Sequence, residues 1–143
     1  MSVSQILKDK GFDVATATPE TSIYEVAKIL SSRRIGSVVV TDPSSRLIGI
    51  VTERDIIRAL AKSGEGCLRD TIQTIMTKDV TTCGEHDPVT ELMGIMTTGR
   101  FRHIPVVEND QLIGIVSIGD VVKSRIAEVE MEATALKTYV AGG

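Results

Sequence analysis

Two short stretches of this sequence have the residue types and spacing to do chemistry: Thr52-Glu53-Arg54-Asp55 and Ser117-Ile118-Gly119-Asp120, each directly after Gly-Ile-Val. Both set a hydroxyl residue three positions ahead of an aspartate, where an apolar run gives way to a helical pattern. That spacing is a capping box, in which hydroxyl and carboxylate satisfy orphan N–H groups of a helix's first turn. The same place suits an anionic ligand, because a helix N-terminus carries partial positive charge and free N–H donors. The hydroxyl can donate to a phosphate oxygen. The carboxylate one turn along can accept from two vicinal hydroxyls, such as those of a ribose. The two roles are compatible, and the recurrence of the motif after the same tripeptide favours a ligand role beside the cap.

Phosphate also calls for cations. Arg54 follows Thr52 in the first copy, where the second has Gly119; Arg102 and His103 in turn correspond to Gly36 and Ser37. The basic groups are thus divided between the copies, as though converging on phosphates in a cleft between them. Arg54, Arg102 and His103 are taken as ligand contacts. If His103 meets phosphate, its imidazole, which titrates near pH ~6.5 when free, should make binding strengthen as pH falls from about 8 to 6. Arg33, Arg34 and Arg100 read instead as solvated helix ends favoured by the dipole. His86 reads as a surface residue, Met93 and Met96 as core, and Lys78 as a weak phosphate candidate. Cys67 and Cys83 lack CxxC spacing or a histidine cluster, so they read as reduced thiols without zinc.

The elements that must position these groups come from an internal repeat. Leu47-Ile48-Gly49-Ile50-Val51 returns as Leu112-Ile113-Gly114-Ile115-Val116, 65 residues on. Upstream the offset becomes 66: Ile23, Val26, Ala27 and Leu30 match Val89, Leu92, Met93 and Met96. Both sets fall at i, i+3, i+4, i+7, one apolar face of a helix. The one-residue slip lies in the turn, Asp42-Pro43-Ser44-Ser45-Arg46 against Glu108-Asn109-Asp110-Gln111. Each repeat reads as a short strand, a helix, two β-branched strands joined by a turn, and a second helix. One such unit cannot cover both faces of its sheet, so the halves are expected to pack together. The divisions are residues 1–13, an N-terminal segment able to form a docking helix; 14–66, repeat one; 67–79, a linker; 80–127, repeat two; and 128–143, a helical extension and tail.

Composition narrows the function. The chain of 143 residues carries 16 Lys+Arg against 19 Asp+Glu, a formal net charge of −3, with 42% hydrophobic residues. This balance belongs to a globular protein and argues against a nucleic-acid footprint, which needs a basic face. Aromatics are few (Phe12, Tyr24, Phe101, Tyr139, no Trp), so the core must be aliphatic and no row of base-stacking platforms exists. No apolar run approaches the ~20 residues of a membrane helix, and no signal peptide is legible. A cytoplasmic location is expected.

The doubled Gly-Ile-Val-Thr/Ser-x-x-Asp, Met76-Thr77 ahead of repeat two, and Arg102-His103-Ile104-Pro105-Val106-Val107 resemble the cystathionine-β-synthase (CBS) domains, which occur as tandem pairs called Bateman modules. The resemblance covers roughly residues 14–61 and 80–127. It implies an α/β (α+β) fold of two pseudo-symmetric βαββα repeats, with clefts that bind adenosine nucleotides, in a free-standing module without an attached enzyme or channel. It implies that Asp55 and Asp120 hold ribose beside Thr52 and Ser117. It also implies that the purine slot is formed by Thr16, Ala17, Thr82 and Cys83 with Ile35-Gly36-Ser37 and Phe101-Arg102-His103. The expected function is regulatory: AMP, or else ADP, ATP or NAD(H), is bound, and energy or redox state is signalled to an unknown regulated protein. No catalytic cofactor, metal, nucleic acid or membrane is expected. A homodimer is expected from the resemblance and from the Met93/Met96 and Val26/Leu30 stripes, which must find cover. The rival readings are an enzyme using the cleft and a nucleic-acid-binding or structural scaffold.

Overall fold

Each copy of Leu-Ile-Gly-Ile-Val becomes the second strand of a hairpin that runs straight into a helix. The computed structural model describes residues 1–142. In repeat one, β1 (Thr16–Ala17), α2 (Ile23–Arg33), β2 (Ser37–Thr41), β3 (Leu47–Thr52) and α3 (Glu53–Ser63) follow in order, after α1 (Val3–Lys10). In repeat two the elements are α4 (Val89–Gly99), β4 (His103–Glu108), β5 (Gln111–Ser117) and α5 (Ile118–Gly142). The first sheet has the order β1-β2-β3, with β1 parallel to β2 and β2 antiparallel to β3. The second is the antiparallel pair β4-β5. This is the mixed α/β pair of repeats expected from the sequence.

Repeat two lacks a full counterpart of β1, and Pro105 is the reason. In repeat one the Val39 N–H donates to the Ala15 carbonyl at 2.9 Å, locking β1 onto β2. Pro105 stands where Val39 does and has no N–H to give. One parallel bridge survives, Cys83 to Val106, and the segment before it, Val80 and Thr81, is not zipped into the sheet.

The helical stripes are satisfied internally. Ile23, Val26 and Leu30 are buried in the repeat-one core, as are Val89, Leu92 and Met96 in repeat two, with Met93 packed against them. The stripes that were to demand a dimer therefore already have their cover. Each core is closed by the segment preceding the other repeat. Val3, Ile6 and Leu7 of α1 lie in the core of repeat two, while Ile72 of the linker lies in that of repeat one. The linker, through two 3-10 turns (Glu65–Arg69 and Ile72–Thr74), thus stays on repeat one before crossing over. Matching bridges hold the two straps, Ser2 to Pro88 and Thr71 to Ser22. The repeated glycine makes room for them: a Cβ on Gly49 would lie 2.8 Å from Met76 Sδ, and one on Gly114 2.7 Å from Leu7 Cδ2.

Candidate functional site

A cleft of about 210 Å³ opens where α3 begins, between the two repeats. Repeat one contributes Gly36, Thr52 and the first turn of α3 (Glu53, Arg54, Asp55), followed by Arg58. Repeat two contributes Arg100, Phe101, Arg102 and His103, the run between α4 and β4. The stretch from Thr77 to Thr81 forms another wall, with Thr77, Asp79, Val80 and Thr81 as lining residues. It is held there because Thr77 and Ile50 exchange two backbone hydrogen bonds, at 2.9 and 3.0 Å.

The capping box at the cleft is made. Thr52 N–H donates to Asp55 Oδ2 at 2.9 Å, and the Asp55 N–H donates to Thr52 Oγ1 at 3.3 Å. The other carboxylate oxygen, Oδ1, has the exposed Arg58 at 4.0 Å. Capping thus engages Oδ2 and leaves Oδ1 without a cap bond on a residue that lines the cleft, so the cap and a ligand role fit together. Four guanidinium groups (Arg54, Arg58, Arg100, Arg102) line the cleft with three carboxylates (Glu53, Asp55, Asp79). The cations can meet phosphate, and Asp55 can meet hydroxyls.

Two glycines shape the repeat-two wall. A Cβ on Gly36 would lie 3.0 Å from His103 Cε1 and Nε2, so the imidazole rests against the bare backbone of the other repeat. Gly99 lets the Phe101 ring fold back over the end of α4, into space that a Cβ would occupy. The turn itself needs Arg100 in the left-handed region, φ 57°, as Arg34 is at the end of α2 with φ 54°.

Burial, foremost, lowers the pKa of His103; Glu53 and Asp120 pull it up, while Lys10 and Arg102 push it down. Charging of this imidazole is therefore displaced to lower pH than for a free one, opposite to the upward displacement that a phosphate contact would bring. The sign for stability follows. An unfolded imidazole takes up its proton near pH ~6.5, whereas the folded one resists to lower pH. His103 thus contributes stability that is intact above that value and is lost as pH falls through the window below it. Urea midpoints between pH 7 and 5 should drop more steeply for the wild type than for His103→Gln. Equal slopes would rule out a buried neutral His103.

Of the candidates named from the sequence, the cleft gathers Gly36, Thr52, Arg54, Asp55, Phe101, Arg102 and His103. Arg102 and His103 therefore accompany the aspartate of the opposite repeat, Asp55. The others are elsewhere. Thr16 and Thr82 are exposed, Ile35 packs on the repeat-one core, and Ser37 is buried opposite Thr52 in the sheet. Ser117 and Asp120 form the matching box at α5, where Ser117 N–H donates to Asp120 Oδ2 at 2.8 Å. Arg100, read as a solvated helix end, lines the cleft while remaining exposed. Arg58 was missed although it lies on the same helical face as Asp55, three residues on. Glu53, Asp79, Val80 and Thr81 had no signal of their own, and Thr77, noted only as part of the resemblance, reaches the cleft through its bridge to Ile50. Lys78 is exposed and outside the lining.

Cys67 and Cys83 are buried free thiols, and burial with Asp87, Glu108 and Glu91 nearby pushes Cys83 up to about 12. It is therefore a protonated packing residue. Among the described residues no helix is long and apolar enough to cross a membrane.

A family profile described as CBS domain matches residues 3–62 and 72–127. Among solved structures, the CBS-domain containing protein ATU1752 from Agrobacterium tumefaciens is 48% identical, with a TM-score of 0.85 over 87% of this chain and 99% of its own. The CBS domain protein PAE2072 from Pyrobaculum aerophilum, complexed with AMP, is 29% identical, with a TM-score of 0.80 over 93% and 99%. The CBS domain pair of protein MJ0100, in complex with 5'-methylthioadenosine and S-adenosyl-L-methionine, is 32% identical, with a TM-score of 0.80 over 90% and 98%.

Proposed function

The chain belongs to the CBS-domain family, and on that premise we propose that it is a regulatory module whose cleft takes an adenine nucleotide, AMP foremost. One observation carries this reading: Thr52, Arg54 and Asp55 of one repeat meet Arg102 and His103 of the other in a single cleft. Asp55 would hold the ribose hydroxyls through Oδ1. The start of α3, with Thr52, Arg54 and Arg102, would hold phosphate, and Phe101 would lie against the base. The AMP, methylthioadenosine and S-adenosyl-L-methionine bound by the two neighbours support an adenosine ligand. ADP, ATP and NAD(H) are the alternatives, because cations on both walls suit more than one phosphate.

Because its walls come from both repeats, a ligand favours whichever arrangement of the repeats closes the cleft. That differential affinity is how nucleotide level would be passed to a regulated partner. The module is read as a non-catalytic homodimer in a reducing compartment, the cytoplasm. Exposed Ile57 and Leu60 on α3, with Ile118, Val122 and Ile126 on α5, offer the apolar face for pairing.

Mass spectrometry of native protein should find an adenine nucleotide retained, and AMP added for hours should be recovered unchanged. The same preparation should sediment as a dimer. Absence of adenine-nucleotide binding would sink the reading, and AMP turnover would replace it with an enzyme.

A further inference from the structure

The doubled motif makes Asp55 and Asp120 equals in sequence, but the fold treats them differently. Lys10, in the last turn of α1, donates to Asp120 Oδ2 at 2.7 Å and to the Ile115 carbonyl at 2.9 Å. The matching carbonyl in repeat one, that of Ile50, receives the Thr77 backbone N–H. One repeat's strap therefore satisfies this carbonyl with main chain, beside an open cleft. The other satisfies it with an ammonium that also takes the aspartate.

The position of Lys10 is dictated by packing. Leu7 is fully buried over Gly114, whose missing Cβ admits it. Three residues on, the same helix face carries Lys10 over the next residue of β5, Ile115. Gly11 then ends the helix with φ 102°, its N–H bonded to the Leu7 carbonyl at 2.8 Å, so the chain turns away directly after the lysine.

We infer that Lys10 is a built-in competitor for ligand at Asp120: the chain has one open nucleotide site, at Asp55, and a second, at Ser117 and Asp120, that a nucleotide enters only by displacing the lysine. This rests on the reading of the clefts as nucleotide sites. The ion pair is partly exposed on both sides, with side-chain accessibilities of 32% and 22%, so its release is local and needs no unfolding of α1. Its sequence cost is small: one lysine on a strap sets how many ligands the module holds at a given concentration.

Titration calorimetry of AMP into the full chain tests this. Wild type should show one tight event and a second that is weaker. Lys10→Met should tighten the second by about tenfold, the effect of removing a charge-assisted bond that the ligand must break. Asp120→Asn in the Lys10→Met background should abolish the second event and keep the first. A second event unchanged or weakened by Lys10→Met overturns the inference, as does a wild type with two equally tight events. Asp55→Asn reads the open cleft separately, since loss of the first event there does not depend on Lys10. If no AMP binds at all, carboxyl NMR of Asp120 still decides whether the latch exists. Burial alone would raise this carboxyl, but Lys10 and the Ser117 N–H hold it below its ordinary value. Lys10→Met should let it rise, and no movement overturns the latch.

Discussion

Asp55→Asn should weaken AMP binding tenfold to a hundredfold while leaving the fold in place. The amide keeps an oxygen for the Thr52 N–H, so the capping box loses only part of its strength, about 1 kcal/mol or less. It loses the ionic acceptor that would face the ribose, and a hydrogen bond to a charged group contributes about 1.5–3 kcal/mol. Calorimetry with AMP, paired with thermal melts, separates the two roles. Unchanged affinity with a lowered melting temperature would make Asp55 a helix cap and nothing more. Asp120→Asn should leave this tight event as it is, because its carboxylate is at the other motif, under Lys10.

The largest stability effect is expected at a residue outside both repeats as read from the sequence. Leu7→Ala should cost about 2–5 kcal/mol, the range for deleting a fully buried leucine side chain and leaving a cavity. Leu7 is fully buried with Val3, Leu92 and Ile104 in the core of repeat two. The exposed Leu136 serves as the control, and Leu136→Ala should shift the urea midpoint little. A Leu7→Ala protein as stable as that control would mean that α1 does not close the repeat-two core in solution.

Local signals made much of this legible. Apolar positions at helical spacing named the buried faces of α2 and α4, and β-branched runs named the hairpins. The hydroxyl and aspartate three apart named the starts of α3 and α5. Each of these depends on neighbours within a few residues, which is what a one-dimensional pattern records. The division of cations between repeats also hinted that Arg54, Arg102 and His103 share one cleft, because opposite charge on a ligand is what would gather them.

Tertiary structure decided the rest. The doubled motif marks its two copies as unequal in cations, Arg54 against Gly119, but does not say which of Asp55 and Asp120 stands open. The difference comes from parts outside that motif. Pro105 withholds an N–H and leaves Thr81 at the cleft wall. A linker satisfies Ile50 with backbone, and α1 brings Lys10 to the second aspartate from 110 residues away. Such pairings follow from which strap closes which core, and this is set by the connection of the chain and the fit of Leu7 over Gly114. Sequence spacing carries no record of contacts made at that separation, so the unequal cations of the two repeats were readable and the unequal surroundings of their aspartates were not.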